Sequence, residues 1–203
     1  LCAGHRWHFK LRASVLQPIA ISEIRKWLRI VCLKCGDIVV EKNKFEHFPL
    51  QKRLSEASTI SAEGKSCPSC GTKHPRIIKD DEDHFTFWAE PVGVKKGKND
   101  KIGIKLYPDV ISTIFQKISN ATVLLLGRSL EIHPKKLVIK TIVIPPNTIR
   151  PGVKSYGGSG STYHDSTNLL QTFVKQNSQV PLILPTYMTS YIESGVIIDS
   201  KLD

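Results

Sequence analysis

The chain has 203 residues, 40% of them hydrophobic, and 29 Lys and Arg against 18 Asp and Glu for a formal charge of +11. That is the composition of a globular protein with room for one or two cored domains, and no apolar run approaches the ~18 residues of a membrane span. The basic excess suits a polyanionic partner, because each neutralised phosphate releases condensed counterions.

In chain order, residues 7–12 alternate Trp7, Phe9 and Leu11 with His8, Lys10 and Arg12, the period of a half-buried strand. After Pro18 the period changes. Ile24, Trp27, Leu28 and Val31 recur at i, i+3, i+4 and i+7, one face of a helix with Ser22 as a candidate N-cap. Arg25, Lys26 and Arg29 lie on its other side. The helix leads straight into Cys32-Leu33-Lys34-Cys35. Residues 37–40 then read as a strand, residues 49–59 as a short helix, and Cys67-Pro68-Ser69-Cys70 follows. Residues 80–83 are an acidic turn before a strand at 84–89, its consecutive carboxylates read as solvated, with a divalent-cation site as the other reading. Lys95, Lys96, Lys98 and Lys101 mark a charged loop. Val110, Ile111, Ile114, Phe115 and Ile118 give a helix opening near Pro108-Asp109. Residues 137–144 are strand-like and stop at Pro145-Pro146. Residues 152–161 form a Gly/Ser loop, Leu169, Leu170, Phe173 and Val174 mark a last helix face, and the tail from Ser178 has no clear period.

Four of the five cysteines fall in the two CxxC pairs. A tight turn brings thiolates at i and i+3 together, and two such turns supply the four soft ligands of a tetrahedral zinc. The 31 residues between Cys35 and Cys67 exceed the spacing of a compact finger and leave room for an inserted helix. Gly36 and Gly71, each following the second cysteine of its pair, permit turns that aim backbone amides at sulfur. Four thiolates leave no position for a catalytic water, so the expected zinc is structural. A redox CxxC comes singly beside a βαβ pattern, and none is seen. Cys2 and His5 look like the last two ligands of a second zinc whose partners would precede residue 1, with a free buried cysteine as the other reading. His47, His74 and His84 read as structural or surface groups, His74 also as a possible replacement ligand. The absence of an initial Met suggests a piece of a longer chain.

Cys2-Ala3-Gly4-His5-Arg6-Trp7-His8-Phe9 resembles the C-x-G-H-x-G-H-I segment of the largest subunit of multisubunit DNA-dependent RNA polymerases. The helix after Pro18 and the two CxxC pairs resemble that family's next helix and second zinc site, in order. His133-Pro134, Leu137 to Ile144-Pro145-Pro146 and Ile149-Arg150-Pro151 resemble its "PEW…L…VPPPPVRPS" stretch. Asp165, Leu169, Leu170 and Asn177 resemble its "DDLT…L…N" helix. The wording of "EIRKWLRIVCLKCG", "DHFTFWAE" and "LGRS" is most similar to the form in large cytoplasmic DNA viruses of the asfarvirus kind. Trp7 departs from the family's usual glycine, and the magnesium-binding NADFDGD motif is not among these residues.

The resemblance implies an α+β fold, a zinc-stapled clamp head on a mixed clamp core. Segments 1–30 and 91–177 would be core, 31–90 the head, and 178–203 a loop or linker. It implies part of a DNA-directed RNA polymerase that holds template DNA and the RNA–DNA hybrid, alongside the second-largest and smaller subunits. Catalytic magnesium would lie outside these residues. Read from the residues themselves, the candidate nucleic-acid contacts are Arg25, Lys26, Arg29, Lys95, Lys96 and Lys98, each with a merely solvated charge as its other reading, and Arg150, which between Ile149 and Pro151 is the better candidate for an ordered polar contact. The expected location is host cytoplasm, in viral factories, or the virion, and the nucleus for a cellular homologue. The alternative is a free-standing zinc-ribbon regulator that binds nucleic acid.

Overall fold

A computed structural model describes residues 7–80, 85–93, 103–154 and 161–180. Along the chain run β1 (Trp7–Leu16), α1 (Ile21–Ile30), α2 (Leu50–Ile60), β2 (Arg76–Lys79), β3 (Phe87–Glu90), β4 (Ile104–Leu106), α3 (Pro108–Gln116), α4 (Asn120–Leu125), β5 (Val138–Ile144), β6 (Val153–Lys154), β7 (Ser161–Thr162) and α5 (Asp165–Gln179). Helices and small sheets mix as an α+β fold. The chain divides into two units, one of residues 1–14 with 139–183, the other of residues 15–138 with 184–203.

The larger unit carries the core. α1 buries Ile24, Trp27, Leu28 and Ile30 on the face its period marks out. It packs on α2, whose Leu54 and Ala57 are fully buried. β2, β3 and β4 form an antiparallel sheet with Ile77 opposite Ala89 and Phe87 opposite Leu106, all four buried. α3 closes the core with Val110, Ile111, Ile114 and Phe115. Glu23, in the first turn of α1, pairs with Arg128 at 2.8 Å, a half-buried ion pair favoured by the positive end of the helix dipole. Arg53 of α2 donates to the carbonyls of Phe48, Leu125 and Glu46, tying α2 to the end of α4 through backbone acceptors.

The smaller unit holds a two-stranded β1–β5 sheet, the β6–β7 pair and α5. Phe9 meets Phe173 edge to face at 6.1 Å, and the amide of Arg12 donates to Asn177 Oδ1 at 2.9 Å. These contacts seat α5 on β1. Leu169 remains 71% exposed.

Several sequence expectations are corrected. Ala20, not Ser22, occupies the N-cap of α1, and Ser22 is already helical. Residues 37–40 form no strand. They are the return of the first cysteine turn, bridged only between Ile38 and Val31. Asp80 is buried rather than solvated and accepts from Trp88 Nε1 at 2.8 Å, which fixes the start of the β2–β3 turn. The strand expected at 84–89 is observed as Phe87–Glu90, and His84 lies outside the described residues. The loop expected at 152–161 contains β6 and β7 at its ends. No helix among the described residues is long and apolar enough to cross a membrane.

Candidate metal centre

The two CxxC turns obey the same local rule. The Cys32 amide donates to the Asp37 carbonyl (2.8 Å) and the Gly36 amide to the Cys32 carbonyl (2.9 Å). In the second turn Cys67 donates to Thr72 and Gly71 to Cys67, both at 2.9 Å. Single bridges, Val31 to Ile38 and Ser66 to Lys73, close both turns at equivalent positions. Gly36 and Gly71 take φ of +81° and +69°, a region that a side chain resists. α1 delivers Cys32 directly from its C-terminal end, and the segment after α2 delivers Cys67.

The turns face each other through sulfur. Cys32 Sγ lies 3.5 Å from Cys70 Sγ, and Cys35 Sγ lies 3.5 Å from Cys67 Sγ. All four ligand atoms fall within 4.8 Å of one another, and all four cysteines are free of disulfides. Thiolates ~2.3 Å from a tetrahedral ion sit roughly 3.8 Å apart, a value these separations bracket. The donor set therefore fits one metal ion. Among the described residues it is the one cluster of Cys, His and carboxylate groups with that property.

Electrostatics at the cluster are divided. Burial raises the Cys32 thiol well above its ordinary value, opposed by the Cys35 and Lys34 amides. Burial also raises Cys35, opposed by the Asp37 amide. At Cys70 burial again acts upward, but the hydroxyl and amide of Thr72 outweigh it and bring the thiol to about 6. Amides aimed at sulfur are the outer contacts that orient metal-bound thiolates. Asp37 braces the pair of turns, accepting from the Ile38 amide at 2.8 Å and from the Ser69 hydroxyl. Lys117 Nζ donates to the Lys34 carbonyl at 3.0 Å and fastens the first turn to the end of α3.

His74 does not replace a cysteine in the cluster. It lies on the strand-like return of the second turn, where its amide donates to Lys65 and its carbonyl accepts from Gly64. Only 3% exposed, its ring nitrogens have no hydrogen-bond partner. Burial lowers its pKa to about 4, with the Arg29 and Leu28 backbone opposing. The unfolded chain therefore takes up this proton below about pH 6.5 and the folded chain only below about pH 4. Stability is complete above the first value and falls between the two, by about 3 kcal/mol in all. Burial lowers His133 in the same direction. Denaturant unfolding at a series of pH values is expected to show a shallower acid loss in His74→Leu than in the parent chain. Equal slopes would refute the assignment.

The basic residues expected to meet phosphate divide by environment. Arg25 is exposed and Arg29 half-buried, and neither guanidinium has a hydrogen-bond or ion-pair partner among the described residues. Lys26 points to α2 and donates to Ser55 Oγ at 2.9 Å. Arg150 donates to Pro145 O, Thr167 Oγ1 and Asn147 Oδ1, joining the turn after β5 to α5. Cys2, His5, Lys95, Lys96 and Lys98 lie outside the described residues. One basic residue was not legible beforehand. Arg76 opens β2, and the pattern around it gave no strand to place it on.

Fold and centre together define a class, an α+β module whose two cysteine turns converge on one metal-sized cluster. The family model described as RNA polymerase Rpb1, domain 1, matches residues 1–192, and the chain belongs to that family. It is 47% identical over 181 residues to the "DNA-directed RNA polymerase RPB1 homolog" of African swine fever virus, covering 89% of this chain and 12% of that protein. Against "DNA-directed RNA polymerase subunit Rpo1N" of Sulfolobus acidocaldarius the identity is 25% over 193 residues, covering 88% and 21%. Against "DNA-directed RNA polymerase III subunit rpc1" of Dictyostelium discoideum it is 22% over 216 residues, covering 88% and 15%. The chain thus spans a small part, 12%, of the length of the viral relative.

Proposed function

We propose that this chain is a clamp portion of the largest subunit of a DNA-directed RNA polymerase, in which it helps retain template DNA and the RNA–DNA hybrid. The observation that carries the reading is the 47% identity across 89% of the chain to a viral protein with that name. It favours a polymerase over a free-standing zinc-ribbon regulator. In this reading residues 31–90 are the clamp head and segments 1–30 and 91–177 the clamp core. The cysteine cluster holds structural zinc. Cys2 and His5 complete a second zinc site with residues preceding them. Nucleotidyl transfer and its magnesium ions belong to other parts of the subunit, and the second-largest and smaller subunits are its partners. For a viral enzyme the site of action is the host cytoplasm or the virion.

A role in holding nucleic acid rests on charge. The +11 excess supports it, as do Arg25 and Arg29, whose side chains lack partners among the described residues. Lys95, Lys96 and Lys98 add to the basic charge of the chain. The test is duplex DNA binding by the assembled polymerase containing the full-length subunit, measured across salt. Affinity is expected to fall steeply with salt, with little sequence preference. Salt-independent binding would overturn the clamp role.

A further inference from the structure

A cavity of about 210 Å³ opens in the larger unit between α1, the segment after α2 and the start of β2. Arg25 and Arg29 of α1 and Arg76 of β2 line it, together with Ser61, Glu63 and His74. Three arginines thus share the lining with one glutamate. Its carboxylate is loosely held, with Glu63 Oε1 3.8 Å from Arg76 Nε and both side chains well exposed. Arg25 and Arg29 stand four residues apart on one helix face, where like charges destabilise the helix by a few tenths of a kcal/mol. The fold therefore sustains an uncompensated positive charge at a concave, largely polar place. Ser61 Oγ accepts from the Glu63 amide at 3.3 Å and keeps its own proton for donation. His74 forms a buried wall whose depressed pKa adds no charge near neutrality.

The volume falls below the ~300–1,000 Å³ of pockets that enclose a drug-sized ligand. It suits a single anionic group that projects from a larger molecule. Planar guanidinium forks match phosphate oxygens in pairs and are less strongly hydrated than ammonium groups, so three of them select phosphate. We propose that this cavity seats one backbone phosphate of nucleic acid, with Arg29 and Arg76 as its principal donors and Arg25 at the mouth. The phosphate's source as nucleic acid rests on the polymerase reading above. Its chemistry rests on the cavity alone. Lys26, although next to Arg25 in sequence, takes no part because its ammonium is bonded to Ser55. A contact of this kind positions the nucleic acid without reading its sequence.

The test uses the assembled polymerase with full-length subunit, bound to labelled duplexes of two unrelated sequences between about 50 and 200 mM salt. Arg29→Gln with Arg76→Gln is expected to weaken both duplexes about tenfold at low salt and to lower the log–log salt slope by about 0.9, the signature of one lost phosphate contact. Arg25→Gln, at an exposed position, guards against misfolding and is expected to show a smaller change of the same sign. Lys52→Gln, on the exposed side of α2, should leave binding unchanged. If the arginine variants match the parent while the parent keeps its steep salt dependence, the cavity proposal falls and the clamp reading stands. If the parent itself binds without salt dependence, both fall. Inorganic phosphate separates the remaining source. Loss of its binding in the arginine variants with DNA affinity intact would assign the cavity to free phosphate and overturn the proposal.

Discussion

Cys67→Ser is expected to remove about one equivalent of metal per chain and to unfold the region from α1 through β3 under conditions where the parent is fully folded. Cys67 is 2% exposed and belongs to the core cluster that also contains Trp27, Leu54 and Phe87. Serine nearly matches its shape. If the thiol served only packing, the cost would be about 1 kcal/mol, that of an ordinary point mutation. A structural metal in a small module contributes ~10–16 kcal/mol of apparent binding free energy. That is comparable to the ~5–15 kcal/mol net stability of a whole domain. Loss of one of four ligands should therefore decide the fold locally. Metal analysis and hydrogen exchange over residues 21–90 check it together. A variant that keeps its metal, or loses it with exchange protection unchanged, would show that the cluster is not a structural centre.

The second large effect separates two glycines that look equivalent in sequence. Gly36→Ala should cost about 3 kcal/mol and Gly71→Ala about 1 kcal/mol. Both have positive φ, and an L side chain there costs ~1–2 kcal/mol. Their surroundings differ. A Cβ on Gly36 would lie 2.6 Å from the carbonyl carbon and oxygen of Lys117, whereas a Cβ on Gly71 would meet nothing within 4 Å. The Lys117 contact is backbone, and Lys117 also bonds the Lys34 carbonyl, so relief requires the end of α3 to shift away from the first turn. Thermal or denaturant unfolding of the two variants gives the comparison. Equal losses would mean that the end of α3 does not press on the first cysteine turn.

The sequence made the centre readable because its chemistry is local. Two cysteines three residues apart and a following glycine specify the turn, and only the meeting of the two turns is a tertiary event. α1 and α3 were readable for a similar reason, since their buried faces repeat every three to four residues. β2 and β4 were not, because four and three residues cannot display a period and each exists through its pairing with β3. α4, six residues long, is set by Ser119, whose side chain caps the Thr122 amide. Asp80 belonged to an acidic run that reads as solvated, yet the Trp88 indole draws it inward. The arginine cavity was half legible. Arg25 and Arg29 share a helix face by count, while Arg76, Ser61 and Glu63 arrive from elements that no local pattern joins to that helix.

The meeting of the two cysteine turns also has a topological meaning. A metal held by Cys35 and Cys67 turns the chain between them into a closed ring that carries α2. Closing a ring becomes costlier only logarithmically with its length, roughly 0.6 kcal/mol for each doubling. Residues 41–44 on that ring are exposed and outside the core. Evolution could therefore lengthen the ring at that point, adding new surface to the molecule, while the metal continues to hold its two ends in register.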